Sequence, residues 1–289
     1  MRVLIAGAAG QLGRELQRTR PADAEVAALD RAALDITDRE AVLSRIEALR
    51  PELIINAAAY TAVDGAESKP DLALRVNAEA AGYLASGAER NGARLLHVST
   101  DFVFDGDAVA PYLPGDPTRP LGVYGHSKLA GECRVAEILP RASLILRTAW
   151  VYSAHGNNFV KTALRLMNER DEFRVVGDQR GSPTWARGLA DTLWAFARDE
   201  EARGIYHWTD GGECSWYEFA LAIFAEGRAL GLVRGDASIE EIPSGEYPVP
   251  ARRPAYSVLD CGSSRERLGR AQAPWREQLQ KMLRELRSP

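Results

Sequence analysis

Tyr124-Gly125-His126-Ser127-Lys128 sets a phenol and an ammonium four residues apart. On a helix that spacing puts both on one face. A cation beside a phenol favours its ionised form and draws its pKa down. Such a pair can hand a proton to a ketone oxygen as hydride reaches the carbonyl carbon, and the lysine can also reach the ribose of a nicotinamide nucleotide. Alone the pattern is weak, because a tyrosine and a lysine also meet at this spacing on solvated helices. Ser99-Thr100-Asp101 stands earlier, at what reads as a strand end. Ligands of parallel sheets bind beyond the carboxyl ends of strands, where Ser99 or Thr100 can bond and orient a carbonyl; either can equally cap a turn. His126 lies between the pair on a helix and points elsewhere, as a surface residue.

Gly7-Ala8-Ala9-Gly10-Gln11-Leu12-Gly13 follows the first apolar run. Small residues there allow a tight turn, close approach of backbone to a pyrophosphate and tight helix-on-strand packing. The free N–H groups of the helix start then face the phosphates. The spacing is looser than G-x-G-x-x-G, and a ligand-free turn is the alternative; three regularly spaced glycines directly after a strand favour a dinucleotide. Asp30 closes the second strand, where an acid can bond a ribose hydroxyl, whereas Arg31 can bind a 2′-phosphate, so the two do not decide between NADH and NADPH. Ala57-Ala58-Ala59, after the third strand, offers small side chains on which a cofactor can lie, or simply a helix start.

These groups need a frame, and the first half supplies one by alternating short apolar runs with helical patterns. Strands are expected at Val3–Ala6, Val26–Leu29, Leu53–Asn56, Leu95–Val98 and Leu144–Leu146, with helical segments from Gly10, Asp38, about Pro70 and Leu121 between them. That rhythm implies right-handed βαβ crossovers and a parallel sheet. After Trp150 it becomes irregular: Phe159–Arg170 and Trp185–Arg198 read as helices, Phe173–Val176 as a strand. From Gly204 onward Trp, Tyr, Gly and Pro accumulate, and the three prolines of Ser244–Pro254 exclude regular helix there. The expected division is a dinucleotide-binding part, residues 1–150 plus about 172–204, and a smaller substrate-binding part, about 151–171 plus 205–289, with an ill-defined interior.

The 289 residues are 46% hydrophobic and 26% charged, enough apolar material for one large or two modest domains. A net charge of -4 excludes the broad basic field that nucleic-acid binding requires. Cys133, Cys214 and Cys261 are odd in number and widely spaced, so neither a disulfide framework nor a zinc site is expected, and the four histidines are scattered with no ligand spacing. Cys133 is read as packing. No apolar run reaches transmembrane length, no membrane partner is expected, and the cytoplasm is the expected compartment.

Taken together these segments resemble the extended short-chain dehydrogenase/reductase superfamily, and within it the dTDP-4-dehydrorhamnose reductase family. The resemblance rests on Gly7–Gly13, Asn56–Asp64, Ser99–Gly106, Tyr124–Glu132, Arg147–Tyr152, Gly156–Phe159, Asp178–Thr184 and Arg253-Pro254, in family order along nearly the whole chain. It implies a Rossmann-type doubly wound parallel sheet with a smaller C-terminal α/β substrate-binding domain, the sugar nucleotide lying between them. It implies reduction of the ring ketone of a dTDP-4-keto-rhamnose with NADPH or NADH as donor. Carried over residue by residue, Tyr124 is the proton donor, Lys128 its partner and ribose anchor, and Thr100 the hydroxyl on the ketone. Asp101, Trp150 and Arg253 match sugar-nucleotide positions. Gly10, Gln11, Leu12, Asp30, Asp35, Ile36, Ala58, Ala59 and Tyr60 match cofactor positions; Gly7, Gly13, Arg31 and Ser99 are expected at the cofactor from their places in the glycine loop and at the strand ends, with Tyr124 and Lys128 also touching it. Without the resemblance Trp150 reads as a core aromatic, and Arg252 and Arg253 as solvated or as a diphosphate grip.

Some family members dimerise around magnesium held by carboxylates. Glu15 fits one such position, but Arg187 stands where another acid is expected, which puts the magnesium link in question while leaving Mg2+ and a homodimer open. Tyr60 replaces a frequent histidine. Two other readings remain: a sugar-nucleotide epimerase or dehydratase, which needs an acid/base pair beyond Tyr124, and a regulatory subunit of the same fold, in which the tyrosine or lysine would be lost.

Overall fold

The structure, a computed structural model, describes residues 1–287. Its strands are β1 (Arg2–Ala6), β2 (Glu25–Leu29), β3 (Leu53–Asn56), β4 (Arg94–Thr100), β5 (Ser143–Thr148), β6 (Val151–Tyr152), β7 (Glu172–Val176), β8 (Arg180–Gly181), β9 (Thr184–Trp185), β10 (Gly204–His207), β11 (Cys214–Ser215) and β12 (Ser238–Ile242). Six of them form one parallel sheet in the order β2-β1-β3-β4-β5-β10. Its helices are α1 (Gln11–Arg18), α2 (Arg39–Leu49), α3 (Val63–Ser68), α4 (Pro70–Leu74), α5 (Ala80–Asn91), α6 (Val123–Ile138), α7 (Phe159–Glu169), α8 (Ala186–Arg198), α9 (Trp216–Ala229), α10 (Gly262–Leu268) and α11 (Trp275–Arg287).

The sheet is apolar on both faces because helices cover both, as parallel sheets require. Successive side chains of β1 go to opposite layers. Val3 and Ile5 join Leu12 and Leu16 of α1 and Leu189, Leu193 and Phe196 of α8. Leu4 and Ala6 join Ile46 of α2, Leu84 of α5 and Val135 of α6. The strand order reverses between β1 and β3, and in open α/β sheets the crevice at such a point takes the ligand.

Three expectations change. The stretch from Pro70 to Asn91 is not one regular helix: a π turn, Arg75–Glu79, interrupts it between α4 and α5. Phe173–Val176 does not belong with the large sheet. It pairs in parallel with β12, because Phe173 and Val175 are drawn into a second core with Tyr152, Val160, Phe219 and Leu279. Gly204–His207, conversely, pairs with β5 and completes the large sheet. The interior of the second half is therefore well defined. Its helix α9 opens with a capping box in which Ser215 and Glu218 satisfy each other's backbone N–H groups. Among the described residues no helix is long and apolar enough to cross a membrane.

Candidate active site

The crevice at the strand-order reversal is floored by two loops. Gly7 has φ +83°, and a Cβ there would lie 2.7 Å from the Ala58 backbone, so the loops after β1 and β3 touch and only glycine fits. Gly10 caps α1 with no side-chain hydrogen bond, leaving the amides of the first turn open for an anion. Leu12 is buried under the loop, and Gln11 accepts a hydrogen bond from Asn158 (2.8 Å), tying this loop to the second half. Asp30 accepts from the Ala33 N–H (2.9 Å) just beyond β2, with Arg31 exposed beside it. Asp35 accepts from the Thr37 N–H and hydroxyl, which holds its carboxyl below the usual range. The Ile36 side chain is buried in the core under α2, leaving only its backbone for a ligand.

The π turn has a purpose visible in its bonds. Asn77 accepts from the Tyr60 N–H (2.8 Å) and donates to the Tyr60 carbonyl (3.1 Å) and to the Ser127 hydroxyl (2.9 Å). One buried amide thus fixes the Ala58-Ala59-Tyr60 loop against α6. Nothing in the local sequence marks Asn77; only its position in a register-shifting turn aims it there.

Helix α6 carries the phenol and the ammonium. A Cβ on Gly125 would lie 2.2 Å from the Phe102 carbonyl oxygen, so glycine lets the helix start press against the turn after β4. Tyr124 then packs edge-on against Phe102, with ring centres 5.5 Å apart, beside Thr100 and Asp101. Thr100 donates to Asp101 (3.0 Å) and accepts from the Phe102 N–H (3.2 Å). Asp101 is 2% exposed, and its Oδ2 has no hydrogen-bond partner. Burial raises its carboxyl to about 6, although the Ser257 and Thr100 hydroxyls pull the other way.

The sequence leads one to expect a tyrosine pKa lowered by the lysine. The structure reverses this. Loss of solvent raises Tyr124 to about 12, the Thr100 hydroxyl opposes the rise, and the Asp101 charge adds to it. Lys128 is buried, donates to the Val98 carbonyl (2.6 Å) and lies 3.5 Å from His97 Nε2. Burial lowers it to about 8 against the opposing pull of Glu132. Tyr124 is thereby a firmly protonated acid, the form needed to give a proton to a ketone oxygen.

Ser99 is engaged differently from Thr100. Its hydroxyl donates to Glu132, whose carboxylate is held in a two-pronged buried pair by Arg147 (2.7 and 2.9 Å). The alternation of β4 turns the Ser99 hydroxyl toward this buried pair.

Trp150 follows β5 with φ +46°, a conformation that costs a bulky residue about 1–3 kcal/mol. It is held there by a parallel stack on Trp216, with ring centres 3.5 Å apart, and by Gly181, where any Cβ would strike its indole. Trp216 also borders a cavity of about 780 Å³ with Phe173, Gln179, Tyr247, Arg252 and Arg253. Arg253 is held by Asp64 (2.8 Å), at the end of the Asn56–Asp64 motif. Phe173, Trp216 and Tyr247 were missed by sequence reasoning: Phe173 and Trp216 are aligned only by the second core, and Tyr247, which is exposed, only by the rim of the cavity.

The acidic position Glu15 does not fit a divalent cation. It is fully buried, its carboxylate takes Arg18 (3.0 Å), and Glu285 takes both Arg18 (3.0 Å) and Arg187 (2.8 Å). Guanidinium groups already pair with these carboxylates, and no group of three metal-ligating side chains exists among the described residues.

Comparison with known proteins agrees over the full length. The family model described as RmlD substrate binding domain matches residues 1–288. A dTDP-4-dehydrorhamnose reductase of Burkholderia thailandensis is 44% identical, covering all of both chains. A crystal structure of a dTDP-4-dehydrorhamnose reductase from Clostridium acetobutylicum superposes with TM-score 0.93 at 40% identity over 99% of each chain. That of the Bacillus anthracis enzyme, in complex with NADP, gives 0.92 at 38% over 98% of this chain and 99% of that one. With such matches spanning both halves of the fold, the chain belongs to the dTDP-4-dehydrorhamnose reductase family.

Proposed function

We propose that this protein reduces the ring ketone of dTDP-4-dehydro-β-L-rhamnose to dTDP-L-rhamnose with NADPH or NADH as hydride donor. The observation that carries the reading is the placement of Tyr124, packed on Phe102 beside Thr100 and Asp101 and sharing a helix with Lys128, next to the crevice floored by Gly7 and Ala58.

The nicotinamide supplies hydride to the ketone carbon. Tyr124 gives its phenolic proton to the ketone oxygen, and Thr100 orients that oxygen from the end of β4. Lys128 holds the ribose and stabilises the phenolate that forms. The buried, unpartnered Oδ2 of Asp101 is the acceptor left for a sugar hydroxyl. The amides opening α1 take the pyrophosphate. The nucleotide end of the substrate lies in the 780 Å³ cavity, thymine against the aromatics and diphosphate near Arg252 and Arg253. The division of labour is a cofactor half, residues 1–150 with α8 and β10, and a substrate half built on the second core. The cytoplasm is the expected compartment, and homodimerisation, where it occurs, needs no metal.

The test is an assay with dTDP-4-dehydrorhamnose and either nucleotide, following nicotinamide absorbance. Stoichiometric oxidation is the expected result. Turnover that needs only catalytic amounts of cofactor would instead identify an epimerase, and binding without turnover a regulatory subunit.

A further inference from the structure

The face of β4 that turns toward α6 carries His97 and Ser99, two residues apart, and α6 answers with Lys128 and Glu132, one turn apart. Ser99 meets Glu132, and His97 meets Lys128 at 3.5 Å. His97 is 1% exposed. The proposed reaction gives it no task.

Its hydrogen-bond orientation can be worked out. The Asn56 oxygen accepts from the Ala58 N–H (3.1 Å), so the other end of that amide is the NH₂ group. This NH₂ donates to His97 Nδ1 (3.0 Å). Nδ1 is therefore the bare nitrogen. Burial, reinforced by the Lys128 charge, holds the ring far below the pH at which imidazole gains a second proton. The single ring proton then sits on Nε2 and points at the lysine nitrogen. An ammonium there faces another donor, whereas a neutral amine offers its lone pair to that N–H. The amine still donates to the Val98 carbonyl (2.6 Å).

We propose that His97 is a positioning residue which, oriented by Asn56, presents an N–H to Lys128 and so keeps the lysine able to release a proton rather than serve as a fixed cation. The inference rests on the reductase reading. When Tyr124 has given its proton to the ketone oxygen, Lys128, one helical turn along α6, is the acid from which a proton returns to the phenolate by way of the ribose hydroxyl that the lysine holds. The resulting amine accepts the His97 N–H until solvent returns a proton to the lysine. No charge is left behind and no further reactant is needed.

The other charged groups around the lysine do not produce this effect. Glu132, on its own helix, favours the ammonium and is itself neutralised by Arg147 of β5. Asp101, after β4, lies at Tyr124. From β3 and the π turn the buried polar side chains are the neutral amides Asn56 and Asn77. Burial already lowers the lysine to about 8, and a donor aimed at its nitrogen acts in the same direction.

The experiment has one readout that needs no turnover and one that does. Nitrogen NMR of histidine-labelled protein should show the His97 proton on Nε2 in the unliganded protein near neutral pH; a proton on Nδ1 overturns the proposal. In the reductase assay, His97→Leu should move the alkaline limb of the kcat profile upward by about one pH unit or more, while His97→Gln, whose amide NH₂ can stand in for Nε2–H, should bring it back toward the original position. Asn56→Asp, which accepts from the ring and so turns a bare Nε2 toward the lysine, should move the limb the same way as His97→Leu and serves if that variant does not fold. Limbs that coincide with the unmodified protein in His97→Leu and Asn56→Asp, at whatever rate, would reduce His97 to packing. Failure of the unmodified protein to oxidise the nucleotide would sink the reductase reading instead, and the NMR result would still decide the orientation of the ring.

Discussion

At the scale of single residues, the catalytic argument turns on which protonation state burial favours. A phenol in a drier setting than water, beside the Asp101 carboxyl, holds its proton up to about 12. That suits an acid in the reductive direction and means the proton leaves only as negative charge builds on the ketone oxygen. Tyr124→Phe keeps the ring contact with Phe102 and deletes only the hydroxyl. It should lower kcat by roughly a hundredfold or more while leaving the NADPH dissociation constant within about twofold, as measured by turnover and by fluorescence titration. Unchanged turnover would remove Tyr124 from its role.

At the scale of elements, the site is made by contacts between loops that follow different strands. Gly7 is the sharpest case, with a left-handed backbone and no room for a Cβ against Ala58. Gly7→Ala must strain the turn or part the two loops, at a cost of about 1–3 kcal/mol. It should weaken NADPH binding by about tenfold or more and lower the melting temperature, whereas a variant that melts and binds normally would show that the loops do not need to touch. The π turn acts similarly from the other side, because Asn77 bridges the Tyr60 loop to Ser127 only where the helical register shifts. The same scale explains Trp150, whose strained backbone is held by an indole stack supplied from α9.

At the scale of the whole molecule, two buried carboxyls make stability depend on pH. Burial raises Asp210 to about 7, opposed by the Trp185 N–H and Gln278, and raises Asp101 to about 6. In the unfolded chain both ionise near 3.8. Between those values the folded protein holds protons that the unfolded chain releases, so the contribution of each group falls as pH rises from about 4 to its folded value and is level above it. Asp210→Asn keeps an oxygen for the Trp185 N–H (2.8 Å) and removes the ionisation. Urea unfolding at a series of pH values should show the variant losing less stability than the unmodified protein between pH 4 and 7, by an amount on the order of a few kcal/mol. Parallel curves would refute the assignment of Asp210 as the group responsible.

Short-range features were legible without coordinates. Apolar runs alternating with helical spacing carried the parallel sheet, because burial on two faces leaves that imprint on adjacent residues. Gly7–Gly13 and Tyr124–Lys128 were readable because the turn and the helix turn that they need are themselves local. Tertiary structure decided what depends on distant partners. Ser99 turned to Glu132 and Arg147, β7 left the large sheet for β12, and Trp216 came to lie on Trp150. It also decided the direction of the Tyr124 shift, since adjacency on a helix says where a lysine stands but not how dry the pocket is or which carbonyl already holds the ammonium. Solvation and long-range pairing are properties of the packed chain, and no window of sequence contains them.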